Sequence, residues 1–217
     1  ARLPEREAKY LFSVRHTVST AAQVATRIAA LLVLPDLTAV ADVNASRMLL
    51  MPAMLLTTGV RSLLGPMSTT WLTQFGLDRL LKRLLVFIVG LAVLQLMYFA
   101  FLWFFRDWLT ADLMHRTIGN RDMLLLAWSG VTLVALTREV LQCATQAMLR
   151  FEASAYITAV SALLALALMW FGLDWWGPVA VIVAQIFGES VMLAGVLVLL
   201  VLARRERRRA AEAGIVG

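Results

Sequence analysis

The sequence predicts an all-α integral membrane protein built as a bundle of six transmembrane helices. Three observations lead there. Hydrophobic residues make up 61% and charged residues 16% of the 217, with a mean hydropathy of +0.79, which is more apolar surface than one soluble core of this length would use. Six windows each carry about 20 mainly apolar residues, the length that crosses a bilayer. Basic residues fall mainly in the flanks between those windows, the pattern that orients membrane helices. The windows run over residues 11–34, 43–66, 84–105, 123–148, 157–176 and 178–203.

In the first window His16, Thr20, Gln23 and Arg27 are spaced 4, 3 and 4, so they share one helical face. That face cannot comfortably meet lipid. Either it lines a polar cavity, or Arg27 snorkels outward while Thr20 and Gln23 join helices by hydrogen bonds. The second window repeats the pattern along Asn44, Arg47, Met51, Thr58, Arg61 and Gly65, and contains Pro52, Gly59 and the pair Gly65-Pro66. A proline inside a helix removes a backbone hydrogen bond and kinks it. Arg47 is near enough to the outer end to serve as an interfacial anchor or to bind a ligand; Arg61 is deeper. An amphipathic connection over 67–83 leads to the third window, which ends in aromatic residues, and a polar loop over 106–122 leads to the fourth.

The fourth window carries Thr132, Ala135, Glu139, Gln142 and Gln146 on one stripe and Arg138 on a face shared with Val131, Val134 and Leu141. Adjacent residues point about 100° apart, so Arg138 and Glu139 are not expected to pair and each needs a partner elsewhere. Arg138 either bonds to another helix or lines a cavity. Gly177-Pro178 makes a tight turn between the fifth and sixth windows. The sixth offers Gln185 and Glu189 at i,i+4, with Ala184, Gly188 and Gly195 as small residues that allow close helix contact. Glu189 is read as a counter-charge for a buried arginine or as a carboxylate that binds a proton or Na⁺.

With a cytosolic N-terminus, the inner side carries thirteen Lys and Arg and the outer side only Arg106, Arg116 and Arg121. The positive-inside rule then places both termini in the cytosol. Trp103, Trp108, Trp128, Trp170, Trp175 and Trp176 fall at the outer ends, where aromatic belts form, and Trp71 falls inside. Residues 1–10 form a charged cytosolic flank with no cleavable signal peptide in view, 11–203 the bundle, and 204–217 a basic cytosolic tail that acts as a stop-transfer flank. Nucleic acid is not an expected partner despite the pI near 10.4, because the basic residues are dispersed among membrane flanks. The single Cys143 excludes an internal disulfide, and His16 and His115 have no metal-ligand spacing. No metal or cofactor is expected, and Na⁺ or H⁺ coupling stays open.

Arg27, Arg47, Arg61 and Arg138 lie inside apolar windows, where an unpaired cation costs at least about 2.5 kcal/mol at mid-membrane. Against them stand Glu139 and Glu189. A bundle that keeps this surplus of cations inside is suited to an anionic ligand.

Three segments carry a family resemblance: residues 47–72, RMLLMPAMLLTTGVRSLLGPMSTTWL; 124–151, LLLAWSGVTLVALTREVLQCATQAMLRF; and 177–205, GPVAVIVAQIFGESVMLAGVLVLLVLARR. The succession resembles the C-terminal half of a polysaccharide or O-antigen lipid flippase of the multidrug, oligosaccharidyl-lipid and polysaccharide exporter superfamily. Members of that family have twelve or more helices in two halves around a central cavity, so the chain corresponds to one half. The resemblance implies that a lipid-linked saccharide on a polyprenyl phosphate-type carrier crosses the bacterial inner membrane as the halves rock. The second half would be the missing N-terminal half or a second copy of the bundle. From their positions in this sequence, Arg27, Arg61 and Arg138, with Gln23 and Arg47, are the candidate substrate-binding residues, and Glu139 and Glu189 the candidate ion-coupling residues. A guanidinium suits phosphate because its planar fork donates paired hydrogen bonds and stays charged.

Two other functions compete. A cation-coupled exporter of small molecules or drugs from the same superfamily would centre on Glu139 and Glu189, and a non-transporting membrane scaffold would need neither set. An enzyme acting on polyprenyl phosphate is not expected, because such chemistry uses clustered carboxylates for Mg²⁺ and Asp107, Asp112 and Asp122 are dispersed in one loop.

Overall fold

The computed structural model describes residues 45–109, 121–176 and 179–212, and every element among them is helical. The first window, with Gln23 and Arg27, lies outside the described residues. We number the helices α1 (Met51–Phe104), α2 (Arg106–Trp108, a single turn), α3 (Arg121–Ala147), α4 (Phe151–Trp176) and α5 (Val179–Glu212). Four of them, α1, α3, α4 and α5, are long and apolar enough to cross a membrane.

Helix α1 has 54 residues, roughly 80 Å at 1.5 Å per residue and more than twice a bilayer core of about 30 Å. It folds back on itself. Gly76 has φ 76° and ψ 175°, a backbone region essentially restricted to glycine. The legs 51–75 and 77–104 therefore run antiparallel as a helical hairpin. Trp71 and Phe87 face each other with ring centroids 6.0 Å apart, and at the open end Tyr98 donates its hydroxyl to the Leu49 carbonyl at 2.6 Å. The sequence suggested a long amphipathic connection over 67–83; the structure reduces it to one residue. The polar residues there stay helical because Thr69 and Thr73 return their hydroxyls to the carbonyls of Pro66 and Thr70, at 2.6 and 2.9 Å. Pro52 follows an interruption between the helical residues 45–49 and α1. It sits in the first turn of α1, after a break at Leu50, where a missing N–H costs nothing. Pro66 is the proline inside the helix.

The core forms around α3, which packs against α1 on one side and α5 on the other, while α4 lies against α5. One buried cluster joins Leu64, Leu80 and Leu84 of both α1 legs to Val140 and Ala144 of α3 and Val196 and Leu200 of α5. A second, towards the opposite end, joins Leu50, Leu102, Trp128 and Ile182. Trp128 is 3% exposed, so it is a core residue and not part of an outer belt. Its ring lies a full seven residues into α3 and faces α1 and α5. Trp108, Trp170, Trp175 and Trp176 are exposed.

Close packing of α4 on α5 depends on the small residues expected there. A Cβ on Gly195 would lie 2.5 Å from Ile157 Cγ2, and one on Gly188 would lie 2.9 Å from the Ala165 Cβ. Helix α3 ends in a Schellman turn, with Leu149 at φ 59° and the Arg150 N–H bonded to the Thr145 carbonyl at 3.2 Å. The outward faces are apolar: Val86, Val89 and Met97 on α1, Leu163 and Phe171 on α4, Val198 and Val201 on α5. A water-soluble bundle would bury that surface. The helices are compatible with a multi-pass membrane protein.

Candidate functional site

Between α1, α3, α4 and α5 lies a cavity of about 270 Å³. Into it reach Arg61 from the first leg of α1, Arg138 and Glu139 from α3, and Glu189 from α5. The four side chains form a chain of ion pairs. Arg61 Nη1 donates to Glu139 Oε2 at 2.7 Å, Arg138 Nη2 to Glu139 Oε1 at 2.7 Å, and Arg138 Nε to Glu189 Oε2 at 2.5 Å. Arg138 Nη1 also donates to Gln142 Oε1 at 2.9 Å, and Gln142 Nε2 to Ser154 Oγ at 3.3 Å. One network thus ties together four helices, and it supplies the polar link between α3 and α4, whose direct packing is slight.

The direct bond between Arg138 and Glu139 departs from the sequence expectation. Their Cα–Cβ directions do diverge, but a guanidinium stands several bonds from its backbone and a carboxylate three, so both ends can turn to a common point. The wider expectation that each has a partner on another helix also holds in the structure: Glu189 for Arg138 and Arg61 for Glu139.

Burial separates the two arginines. The Arg138 side chain is 4% exposed and that of Arg61 31%. Arg138 uses Nε and both terminal nitrogens on three partners, so it is the structural hub. Arg61 uses one terminal nitrogen on Glu139 and lines the cavity. The two guanidiniums are balanced by the two carboxylates, which matters for any charged ligand: an anion that enters must take Arg61 from Glu139 instead of meeting an uncompensated cation.

Of the sequence candidates, the cavity brings together Arg61, Arg138, Glu139 and Glu189. Arg47 does not line it; that residue lies before the Leu50 break and has an interaction of its own. Gln23 and Arg27 fall outside the described residues. The sequence reading passed over α4, yet Ser154 joins the network and Thr158 and Ser161 line the cavity. Their signal was available: Ser154, Thr158, Ser161 and Ala165 repeat at 4, 3 and 4 and make a small, polar stripe on an otherwise apolar helix. Comparison with family models, with curated proteins and with solved structures found no match to the chain.

Proposed function

We propose that the chain is one six-helix half of a transporter that flips a lipid-linked saccharide, carried on a polyprenyl phosphate-type lipid, across the inner membrane for polysaccharide biosynthesis. Both termini are cytosolic, and the other half of the transporter is an N-terminal half or a second copy. The observation that supports this reading is Arg61, a part-exposed arginine that lines a cavity between helices and is bonded there through one terminal nitrogen. A guanidinium fork is shaped to hold the oxygens of a phosphate or a carboxylate in pairs. At about 270 Å³ the cavity is just below the roughly 300–1,000 Å³ of drug-sized sites. It suits a phosphate headgroup whose lipid tail stays in the bilayer better than a whole drug molecule. Phosphate binding exchanges one anion for another at Arg61: Glu139 releases it and remains on Arg138.

The test is surface polysaccharide in cells that carry variants of the full-length transporter at matched protein level. Arg61→Ala is expected to lose export, with Arg61→Lys partly active because a point charge cannot reproduce bidentate contacts. Loss of a hydrogen bond to a charged group costs about 1.5–3 kcal/mol, or roughly one to two orders of magnitude in affinity. Normal polysaccharide with Arg61→Ala refutes the anionic site.

A second reading, a cation-coupled exporter of small molecules, draws on the presence of Glu139 and Glu189 in the same cavity. Glu139→Gln separates the two. It leaves Arg61 free for phosphate in the flippase and removes the coupling carboxylate in the exporter.

A further inference from the structure

Away from the cavity, three segments meet at one end of the bundle: the Gly76 turn, the connection from α3 to α4, and the end of α5. Arg204 Nε lies 2.7 Å from Asp78 Oδ1, and Arg150 bonds Glu206. Among the described residues this end holds nine basic side chains (79, 82, 83, 150, 204, 205 and 207–209) against four carboxylates (78, 152, 206 and 212). The opposite end holds, of the described residues, Arg47, Arg106 and Arg121 against Asp107, Asp122 and Asp174. The basic excess is therefore confined to one face, and no feature of the cavity requires it.

The ion pairs set its layout. Asp78 and Glu206 are matched to Arg204 and Arg150, whereas Arg79, Lys82, Arg205 and Arg208 are exposed and no carboxylate among the described residues pairs with them. Helix α5 runs antiparallel to the second leg of α1, and Leu77, Leu80 and Leu84 pack with Val196, Leu200 and Ala203. Lys82, one turn on from Asp78, thus lies on the bundle side of the Asp78–Arg204 pair. Arg208, one turn beyond Arg204 on the same face, stands past the turn. Depth follows from length: residues 179–203 already span roughly 37 Å at 1.5 Å per residue, more than the hydrocarbon core, so 204–209 stand in the headgroup layer as two turns of rigid helix. Arg83 is held at the same level with its guanidinium 4.2 Å from the Phe75 ring centroid and 5.2 Å from that of Trp71, a cation on aromatic faces of the kind found at a membrane interface.

We propose that the Gly76 turn and the end of α5 together form a binding site for the phosphate headgroups of anionic phospholipids in the adjacent leaflet, with Arg79, Lys82, Arg205 and Arg208 as its cations. Charge complementarity and depth select this occupant. The four side chains lie where headgroup phosphates lie, no carboxylate among the described residues pairs with them, and basic clusters beside membrane helices attract anionic lipid. The Asp78–Arg204 pair positions the two helices and withholds one cation from the site.

Trp71 provides a built-in reporter. It is the one tryptophan at this end; the other six lie in the outer parts of α1 and α4, in α2 and in the core of α3 near the opposite end. The full chain is reconstituted in phosphatidylcholine bilayers that contain either brominated phosphatidylglycerol or brominated phosphatidylcholine, and the fluorescence assigned to Trp71 is taken as the difference between wild type and Trp71→Phe. Brominated phosphatidylglycerol is expected to quench that component at a several-fold lower mole fraction than brominated phosphatidylcholine. The preference is expected to weaken with each cation removed and to disappear in the variant that combines Arg79→Gln, Lys82→Gln, Arg205→Gln and Arg208→Gln. Asp78→Asn, which releases Arg204, is expected to strengthen it. Equal quenching by both lipids in the wild type overturns the proposal, as does a preference that survives in the fourfold variant. A preference abolished by millimolar inorganic phosphate also overturns it, and assigns the cluster to soluble phosphate instead.

Discussion

Arg138 holds three side-chain partners from a buried position, and Arg138→Leu measures how far the described bundle depends on them. Its guanidinium bonds Glu189, Glu139 and Gln142 at 2.5, 2.7 and 2.9 Å, and its side chain is 4% exposed. Leucine fills most of the space but leaves two carboxylates against the single remaining cation Arg61. Removal of one partner from a buried ion pair costs about 3–5 kcal/mol, because Glu189 then stays in a poorly solvated place with no counter-charge. For a chain of this size, about 2–4 °C of melting temperature goes with each kcal/mol, so a fall of about 6–20 °C is expected. The double variant Arg138→Leu with Glu189→Leu removes one charge of each sign and leaves Arg61 with Glu139. It should recover at least half of the loss, with the deprived amide of Gln142 responsible for much of the remainder. Arg61→Leu, at a more exposed side chain, should cost less than Arg138→Leu. The assay is thermal unfolding of the purified protein in detergent micelles, followed by far-ultraviolet circular dichroism. If the double variant is no more stable than Arg138→Leu alone, the ion pair is not what holds α3 to α5.

Other perturbations follow from the backbone and the helix contacts. Gly76→Ala is expected to destabilise the protein by about 1–3 kcal/mol through strain alone, since open space surrounds the position; an unchanged melting temperature would show that the turn has another conformation open to it. Gly195→Ala places a Cβ 2.5 Å from Ile157 Cγ2, an overpacking cost of about 1–3 kcal/mol, and Ile157→Ala in the same chain should return part of it if the two residues touch. For topology, a cysteine at Asp174 should react with an impermeant thiol reagent added to intact cells while one at Gln74 is spared, because the two positions lie at opposite ends of the bundle; the reverse pattern would invert the assignment of the cytosolic side.

Legibility in the sequence depended on whether a feature is set by local pattern or by side-chain reach. The apolar windows and the small-residue seam at Gly188 and Gly195 were readable because hydropathy and residue size act locally along a helix. Glu189 as partner of a buried arginine was readable from charge balance. The Gly76 turn was not. Gln74, Asp78, Arg79, Lys82 and Arg83 lower the hydropathy over a dozen residues, so the connection looked long, although those polar side chains sit on the outside of helix that continues to the turn. The Arg138–Glu139 contact was missed because helical-face arguments track Cβ directions, whereas the ends of Arg and Glu are free to converge. The polar stripe of α4 was legible but faint, since Ser and Thr satisfy their hydroxyls on carbonyls of their own helix, as Thr158 does on Ser154, and so cost little in an apolar segment.

The one-residue reversal at Gly76 has a consequence for how such a chain is assembled. A loop of several residues lets one helix enter the bilayer and wait for the next, but here the two legs share a single joint and no slack, and their contacts run from Trp71 and Phe87 by the turn to Leu49 and Tyr98 at the open end. In the folded bundle the legs are therefore placed as a pair. The orientation of the second leg is settled once the first is placed, whatever its own flanking charges prefer. An extra residue at the joint would rotate one leg against the other by about 100°, turning Leu80 and Leu84 out of the core. The length of that joint, more than its composition, is what an insertion or deletion could not change without unmaking the bundle.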